Sequence, residues 1–344
     1  MTTTELTAGA VVEEARLAER SGAIERALGL YQSALATLPD PSPTRADVLR
    51  WMGTIHRERG DQEKALGLYA QSLTQADACA YGAGRAHALN CQAIVAQTRG
   101  RPDEAQELFA RAAADAAAVG EHRLLGMIEQ NLGVAHNMRG ELERALLRYR
   151  MSLRAFEEAK DDEAESWVLN NLGMLHQQRR DLGDAQAAYR RAMAIAERRG
   201  DSWMMLMLET NYASLLVDLG ELRQAEALCQ RVLAVAAARA DVVREADALR
   251  CRARVLGARS RLKDARADLE RALGLAERTE DTLLVAQVLA DLGGVHGRLG
   301  AADAAEFAWR RALDLFTRIG AAREAREVAA HLDRPPTAPR LVVA

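Results

Sequence analysis

The sequence contains few of the residues that build β-sheets or interrupt helices. Only 4% of its 344 residues are aromatic, and none of its seven prolines lies between residues 103 and 334. Lysine is scarce as well, because 43 of the 46 basic residues are arginines. Alanine, with 69 residues, and arginine both favour helix, whereas strands are rich in β-branched and aromatic residues. We therefore expect an all-α protein and exclude an α/β enzyme of the usual kind.

Charge, cysteine spacing and hydrophobic runs exclude further classes of protein. The net charge of −3 gives no overall attraction to nucleic acid or to anionic membranes. The four cysteines show no C-x-x-C spacing. No apolar run approaches the ~20 residues that cross a bilayer, and the first residues lack a signal-peptide pattern. We predict a cytoplasmic protein without nucleic-acid or membrane partners, and the arginine bias indicates a high-GC bacterial genome.

Sequence motifs for catalysis and nucleotide binding are missing. No glycine precedes any of the three lysines, so there is no P-loop. The patterns G-x-S-x-G, H-E-x-x-H and G-x-G-x-x-G do not occur either. We predict a non-enzymatic protein without a cofactor.

What the sequence does contain is a repeat of 40 residues. Its register is marked by an alanine that recurs at Ala27, Ala65, Ala105, Ala145, Ala185, Ala225, Ala265 and Ala305. A bulky residue usually stands four positions later, as at Tyr69, Tyr189 and Trp309. Glycines precede the alanine by five residues in six copies, and Arg180 and Ser260 replace them in two. Such a period is typical of a solenoid in which each copy is a helix–turn–helix unit.

This register predicts a right-handed superhelical solenoid of about eight helix pairs with a C-terminal capping helix. The repeats lie near residues 8–38, 44–80, 83–119, 121–160, 161–200, 201–240, 241–280 and 281–320, followed by a capping helix at 321–333. Aspartates at 161, 201, 241 and 281 are predicted N-caps. Residues 334–344 are predicted to be a flexible tail, which carries a minimal P-x-x-P motif at 336–339.

The repeated residues resemble the tetratricopeptide repeat. Asn131-Leu132-Gly133 and Asn171-Leu172-Gly173 are each followed twelve residues later by an A-x-x-x-Y segment. Copies longer than the usual 34 residues look like those of kinesin light chains, Leu-Gly-Asn-type adaptors and bacterial STAND-type regulators. One departure is Arg252, which stands where leucine is usual. The resemblance implies that the first helix of each copy, the A helix, lines a concave groove, while the second, the B helix, lies outside.

Reading the groove-facing positions of the A helices gives a set rich in carboxamides. The predicted peptide-binding residues are Asn90, Gln130, Asn131, Asn137, Trp167, Asn170, Asn171, Met174, Gln177, Met207, Asn211, Arg250 and Arg254. Asparagine and glutamine carry both a donor and an acceptor, so a row of them can bind an extended peptide backbone. The structural alternative is that asparagine recurs in this column for the repeat itself, and that the arginines pair with neighbouring acids such as Asp247.

Two other side-chain sets have structural and functional interpretations. Methionines cluster around residues 127–207, with an apolar stretch at Trp203 that favours either packing between copies or a docking patch. His56, His136, His176 and His296 share one register. A metal between His136 and His176 would have too few ligands, so we predict packed histidines and no metal site.

The leading functional hypothesis is therefore an adaptor or scaffold that binds a peptide segment of a partner protein in its groove. The alternatives are a ligand- or peptide-responsive bacterial regulator of transcription or signalling, and an accessory subunit of a larger assembly.

Overall fold

A computed structural model describes residues 3–279 and 281–333, so the predicted tail and its P-x-x-P motif lie outside the described residues. This part of the chain forms seventeen helices and no strand. They are α1 Thr3–Arg20, α2 Ile24–Thr37, α3 Pro43–Glu58, α4 Gln62–Ala78, α5 Gly82–Thr98, α6 Pro102–Ala118, α7 His122–Met138, α8 Leu142–Ala159, α9 Asp162–Gln178, α10 Leu182–Arg199, α11 Ser202–Asp218, α12 Leu222–Ala238, α13 Val242–Ala258, α14 Leu262–Ala276, α15 Thr282–Arg298, α16 Ala302–Arg318 and α17 Ala322–Leu332. The all-α helical solenoid is confirmed.

The described helices fall into two compact units. The first extends through Ala135 and includes Arg150–Asp161, and the second includes His136–Tyr149 and the described residues from Asp162 onward. Each has its own apolar core, represented by Phe109 and Ile128 in the first and by Leu249 and Val288 in the second. None of the described helices is both long and apolar enough to span a bilayer.

The turn inside each copy requires a left-handed backbone, which explains the glycine of the repeat. Gly60, Gly140 and Gly300 have φ angles of 82°, 78° and 78°. Arg180 and Ser260, which replace the glycine, adopt φ angles of 67° and 60°. Since side chains disfavour this region, the conformation is imposed by the repeat and not by the local residue type.

The start of each A helix follows the predicted capping chemistry in three copies. The carboxylates of Asp201, Asp241 and Asp281 accept hydrogen bonds from the backbone N–H groups of Met204, Arg244 and Leu284 at 2.9, 3.0 and 2.9 Å. Each bond satisfies an N–H group that has no partner inside its helix.

Packing between the two helices of a copy explains why small and bulky residues alternate. A Cβ atom added to Gly173 would lie 2.6 Å from the ring of Tyr189, and one added to Gly53 would lie 2.6 Å from the ring of Tyr69. Both tyrosines are fully buried. The glycine therefore admits the aromatic ring of the B helix against the backbone of the A helix.

Arginines join neighbouring copies at a recurring position. Arg59, Arg179 and Arg259, which follow their A helices, pair with glutamates of the preceding copy at 2.6, 2.6 and 2.5 Å. Exposed pairs of this kind stabilise by about 0.2–1 kcal/mol each. The repeated geometry nevertheless gives many of the arginines a structural role.

Candidate functional site

The predicted carboxamides of the first unit brace neighbouring A helices. Asn131 of α7 donates a hydrogen bond from Nδ2 to Oδ1 of Asn90 of α5 at 3.0 Å. Asn90 is only 4% exposed, whereas Asn131 and Gln130 are partly exposed. Asn90 therefore has a packing role in this structure, and Gln130 and Asn131 retain accessible surface.

The second unit repeats this arrangement. Asn211 of α11 donates from Nδ2 to Oδ1 of Asn170 of α9 at 2.8 Å, and Asn170 is likewise 4% exposed. Met207 is buried as well, whereas Asn171 is partly exposed and Met174 is 39% exposed. Asn171 and Met174 are thus better placed than Asn170 and Met207 to contact a ligand.

A network of polar side chains joins α9, α11 and α13. Arg254 donates to the carboxylate of Asp218 at 3.0 Å and to the hydroxyl of Ser214. Gln177 donates to the other carboxylate oxygen of Asp218 and, at 3.2 Å, to Ser214. The network uses two predicted residues, Gln177 and Arg254. Sequence reasoning missed Asp218, which lies one position beyond the groove offsets considered.

This network borders a cavity of about 440 Å³ within the second unit. Its walls are Met174, Gln177, Gln178, Arg180, Tyr189, Thr210, Asn211, Ser214, Asp218, Asp247, Arg250, Cys251, Arg254, Arg323 and Glu327. Five of these were predicted: Met174, Gln177, Asn211, Arg250 and Arg254. The cavity therefore brings together carboxamides, one exposed methionine and several charged groups.

The closing helix α17 contributes to the cavity, which the sequence did not predict. It packs on α16 through Val328 and through His331, whose ring stacks on Trp309 with centroids 4.8 Å apart. From this position Arg323 and Glu327 line the cavity opposite residues of α9, α11 and α13. Arg326 reaches the turn at Gly140, where an added Cβ would lie 2.9 Å from its Nη2 atom. The predicted capping helix is thus also a wall of the cavity.

Charges in the cavity are largely paired. Arg250 lies 3.9 Å from Asp247 and 3.6 Å from Asp291, and Arg244 donates to Asp247 at 3.4 Å. Burial raises the pKa of Asp247, although Arg250 and Arg244 oppose this shift. Burial likewise raises the pKa of Tyr189, so that its hydroxyl stays protonated at neutral pH.

The apolar stretch around Trp203 forms an aromatic stack. Trp203 of α11 is 44% exposed, and its ring centroid lies 5.4 Å from that of Trp167 of α9. The guanidinium of Arg244 lies 4.8 Å from the centroid of Trp203, within the range of a cation–π contact. Trp167, a predicted groove residue, is therefore engaged with a neighbouring copy and only partly exposed.

Three histidines of the shared register are buried beside an acid five residues later. The Nδ1 atoms of His136 and His176 lie 2.6 Å from Glu141 and 3.5 Å from Asp181. The hydrogen bond with His136 lowers the pKa of Glu141. In the described residues, His176, Asp181 and Asp184 form one group whose ligand atoms lie within 4.8 Å of one another. Asp181, however, already accepts a hydrogen bond from Arg179 at 2.8 Å.

Comparison with known proteins agrees with this architecture. Residues 84–158 and 166–199 match models of the tetratricopeptide repeat family, and no curated protein matches the chain at a significant level. A STAND protein with a tetratricopeptide repeat sensor from Pyrococcus horikoshii has a similar structure, with a TM-score of 0.65 and 17% identity over 96% of this chain and 49% of that one. This chain therefore spans about half the length of that protein.

Two further solved structures match most of both chains. A Rap protein complexed with Competence and Sporulation Factor gives a TM-score of 0.65 at 14% identity, over 93% of this chain and 99% of its own. Aspartyl phosphate phosphatase F from Bacillus subtilis gives 0.64 at 10% identity, over 92% and 94%. At these identities the likeness is one of fold. The chain carries tetratricopeptide repeats and has the fold of tetratricopeptide proteins.

Proposed function

We propose that this tetratricopeptide-repeat protein is a non-enzymatic adaptor that binds an extended peptide segment of a partner on the A-helix face of its second unit. Tetratricopeptide folds support protein-interaction scaffolds in general and are typically non-catalytic. The observation that carries the proposal is the cavity of about 440 Å³ whose walls combine carboxamides, the exposed Met174 and arginines. This volume falls in the usual range of ligand sites, ~300–1,000 Å³.

The cavity has the division of labour expected for peptide recognition. Asn171, beside it on α9, and Gln178, in its wall, offer carboxamide groups that suit a peptide backbone, and Met174 supplies an adaptable apolar contact. Asp218, Gln177 and Arg254 are already hydrogen-bonded to one another. Because these walls are formed before binding, the peptide bears most of the entropic cost of ordering.

The fold offers a precedent for such binding, since the similar Rap protein was solved in complex with Competence and Sporulation Factor. The bacterial and cytoplasmic assignments remain predictions. The predicted contacts of Asn90, Gln130 and Asn131 concern the first unit and also remain predictions.

The test requires a partner segment, identified by placing a photo-crosslinker at Met174 and mapping the captured peptide by mass spectrometry. Its affinity is then measured for the double variant Asn171→Ala/Met174→Ala. We expect at least tenfold weaker binding, because one lost hydrogen bond and one lost apolar contact contribute about 1 kcal/mol or more each. The melting temperature should change little, since both side chains are accessible.

Gln224→Ala is the matched control, because Gln224 is an exposed carboxamide on the B helix α12. It should leave affinity unchanged. If the double variant binds as tightly as the wild type, or if Gln224→Ala weakens binding equally, the partner uses another surface and the proposal is wrong.

A further inference from the structure

The cavity of the second unit contains hydrogen-bonding groups that the protein itself leaves unused. Nε of Arg250, Nε of Arg323 and the hydroxyl of Tyr189 are buried, and no atom of the described residues forms a hydrogen bond with any of them. All three residues line the cavity. Tyr189 is fully buried, so its hydroxyl has access to nothing but the cavity. Leaving a buried polar group unpaired costs about 1–3 kcal/mol, which a ligand would recover.

The unused donors converge from three helices. Tyr189 belongs to α10, Arg250 to α13 and Arg323 to α17. A carboxylate is planar and has two oxygens, whereas a phosphate is tetrahedral and can accept from three directions at once. Two of the three donors are guanidinium groups, which bind phosphate strongly. The arrangement of donors therefore favours a tetrahedral oxyanion.

The acids of the cavity do not cancel this preference. Arg180, Arg250, Arg254 and Arg323 line it together with Asp218, Asp247 and Glu327, which leaves an excess of one positive charge. Asp218 accepts from Gln177 and Arg254, and Glu327 accepts from Arg323 at 3.1 Å. Burial raises the pKa of Asp247, which weakens its charge. The acids are engaged, while the cationic groups still have donors available.

We propose that a phosphate group binds in this cavity between Arg250 and Arg323, with the Tyr189 hydroxyl as a third donor. The phosphate is carried either by a phosphorylated side chain of the bound peptide or by a small phosphorylated molecule. The site exists only when α17 is docked, so phosphate binding also stabilises the contact of α17 with the rest of the second unit. The inference rests on the proposed function only in using the same face of the A helices.

The test uses inorganic phosphate, O-phosphoserine and succinate as probes, at constant ionic strength adjusted with sodium chloride. Phosphorus-31 NMR line broadening and calorimetry measure binding to the full chain. We expect inorganic phosphate and O-phosphoserine to bind and succinate to bind at least tenfold more weakly. Tighter binding of O-phosphoserine than of inorganic phosphate would identify a phosphorylated side chain as the source. The reverse order would identify a free phosphate.

Variants assign the site. Tyr189→Phe keeps the ring against Gly173 and should weaken phosphate binding several-fold, and Arg323→Gln should weaken it at least tenfold. Arg310→Gln is the control, because Arg310 pairs on an exposed face with Glu306 at 2.6 Å. Circular dichroism checks that each variant is helical. Absence of phosphate binding, equal binding of succinate, or unchanged binding in Tyr189→Phe and Arg323→Gln would overturn the inference.

The two proposals fail independently. Phosphate binding that depends on Tyr189 without any peptide affected by Asn171→Ala/Met174→Ala would leave the inference standing and refute the proposed function. A peptide that binds at Met174 to a chain with no affinity for phosphate would do the opposite.

Discussion

Two adjacent glycines of α15 allow the packing argument to be tested within one helix. A Cβ atom on Gly293 would lie 2.5 Å from both Cδ1 and Nε1 of Trp309, whereas one on Gly294 would meet nothing within 4 Å. Trp309 cannot easily retreat, because its ring stacks on His331 of α17 with centroids 4.8 Å apart and planes 8° apart. The two positions thus share a helix and differ in what faces them.

Replacing either glycine by alanine gains about 0.8–1 kcal/mol of helix propensity. Gly294→Ala should therefore stabilise the protein by up to that amount. Gly293→Ala gains the same term but incurs about 1–3 kcal/mol of overpacking against Trp309. We expect the free energies of unfolding of the two variants to differ by about 1–3 kcal/mol, with Gly293→Ala the less stable.

Urea unfolding followed by circular dichroism, with comparison of midpoints and slopes, measures this difference. The double variant Gly293→Ala/Trp309→Leu recreates the combination of Ala253 and Leu269 found one copy earlier. Its stability should exceed the sum of the single effects, which is the signature of a direct contact. Equal stabilisation by the two single variants would refute the reasoning, because Trp309 would then repack without cost.

Three further predictions follow from the described contacts. Asp201→Ala removes the acceptor of the Met204 N–H group and should cost about 1 kcal/mol, measured by thermal unfolding, whereas Asp201→Asn should retain most of the stability. Asn131→Ala should lower the melting temperature because it unpairs the buried Asn90, and an unchanged melting temperature would show that the pair contributes nothing. Burial, reinforced by Arg50, lowers the pKa of His87 from 6.5 to about 4. Between these values the unfolded chain binds a proton that the folded chain does not, so stability falls as the pH drops through this window. His87→Gln should flatten that decline in urea midpoints between pH 7 and 4.5, and an identical pH profile would contradict the assignment.

The helices and turns were predictable because they depend on contacts that are local and repeated. The spacing of Ala185 and Tyr189 requires Gly173 opposite them, and the turn requires a left-handed residue at Arg180. Eight copies repeat the same register, so an exception in one does not obscure the pattern. This is why helix α10 was predicted to within its observed bounds, Leu182–Arg199.

Pairings between polar side chains were less predictable, because the 40-residue period does not specify which long side chains meet. Arg252 departs from the repeat and is explained by Asp268 of α14, which accepts two hydrogen bonds from it at 2.7 Å. Neither residue is unusual alone, and only the packing of α13 on α14 brings them together. The same holds for Asp218, whose partners Gln177 and Arg254 come from the copies on either side.

The position of α17 explains why the groove residues were predicted more successfully than their chemistry. Groove offsets on α9, α11 and α13 follow from helical geometry alone, and five of the residues so chosen line the cavity. Arg323 comes from a helix whose only sequence-predicted role was to cover the last copy. By facing the A helices it changes the cavity from a carboxamide surface into one with opposed guanidinium groups. A capping helix must bury one apolar stripe, but its other face is free to vary, so a terminal helix can acquire a ligand-binding role without disturbing the repeat that it closes.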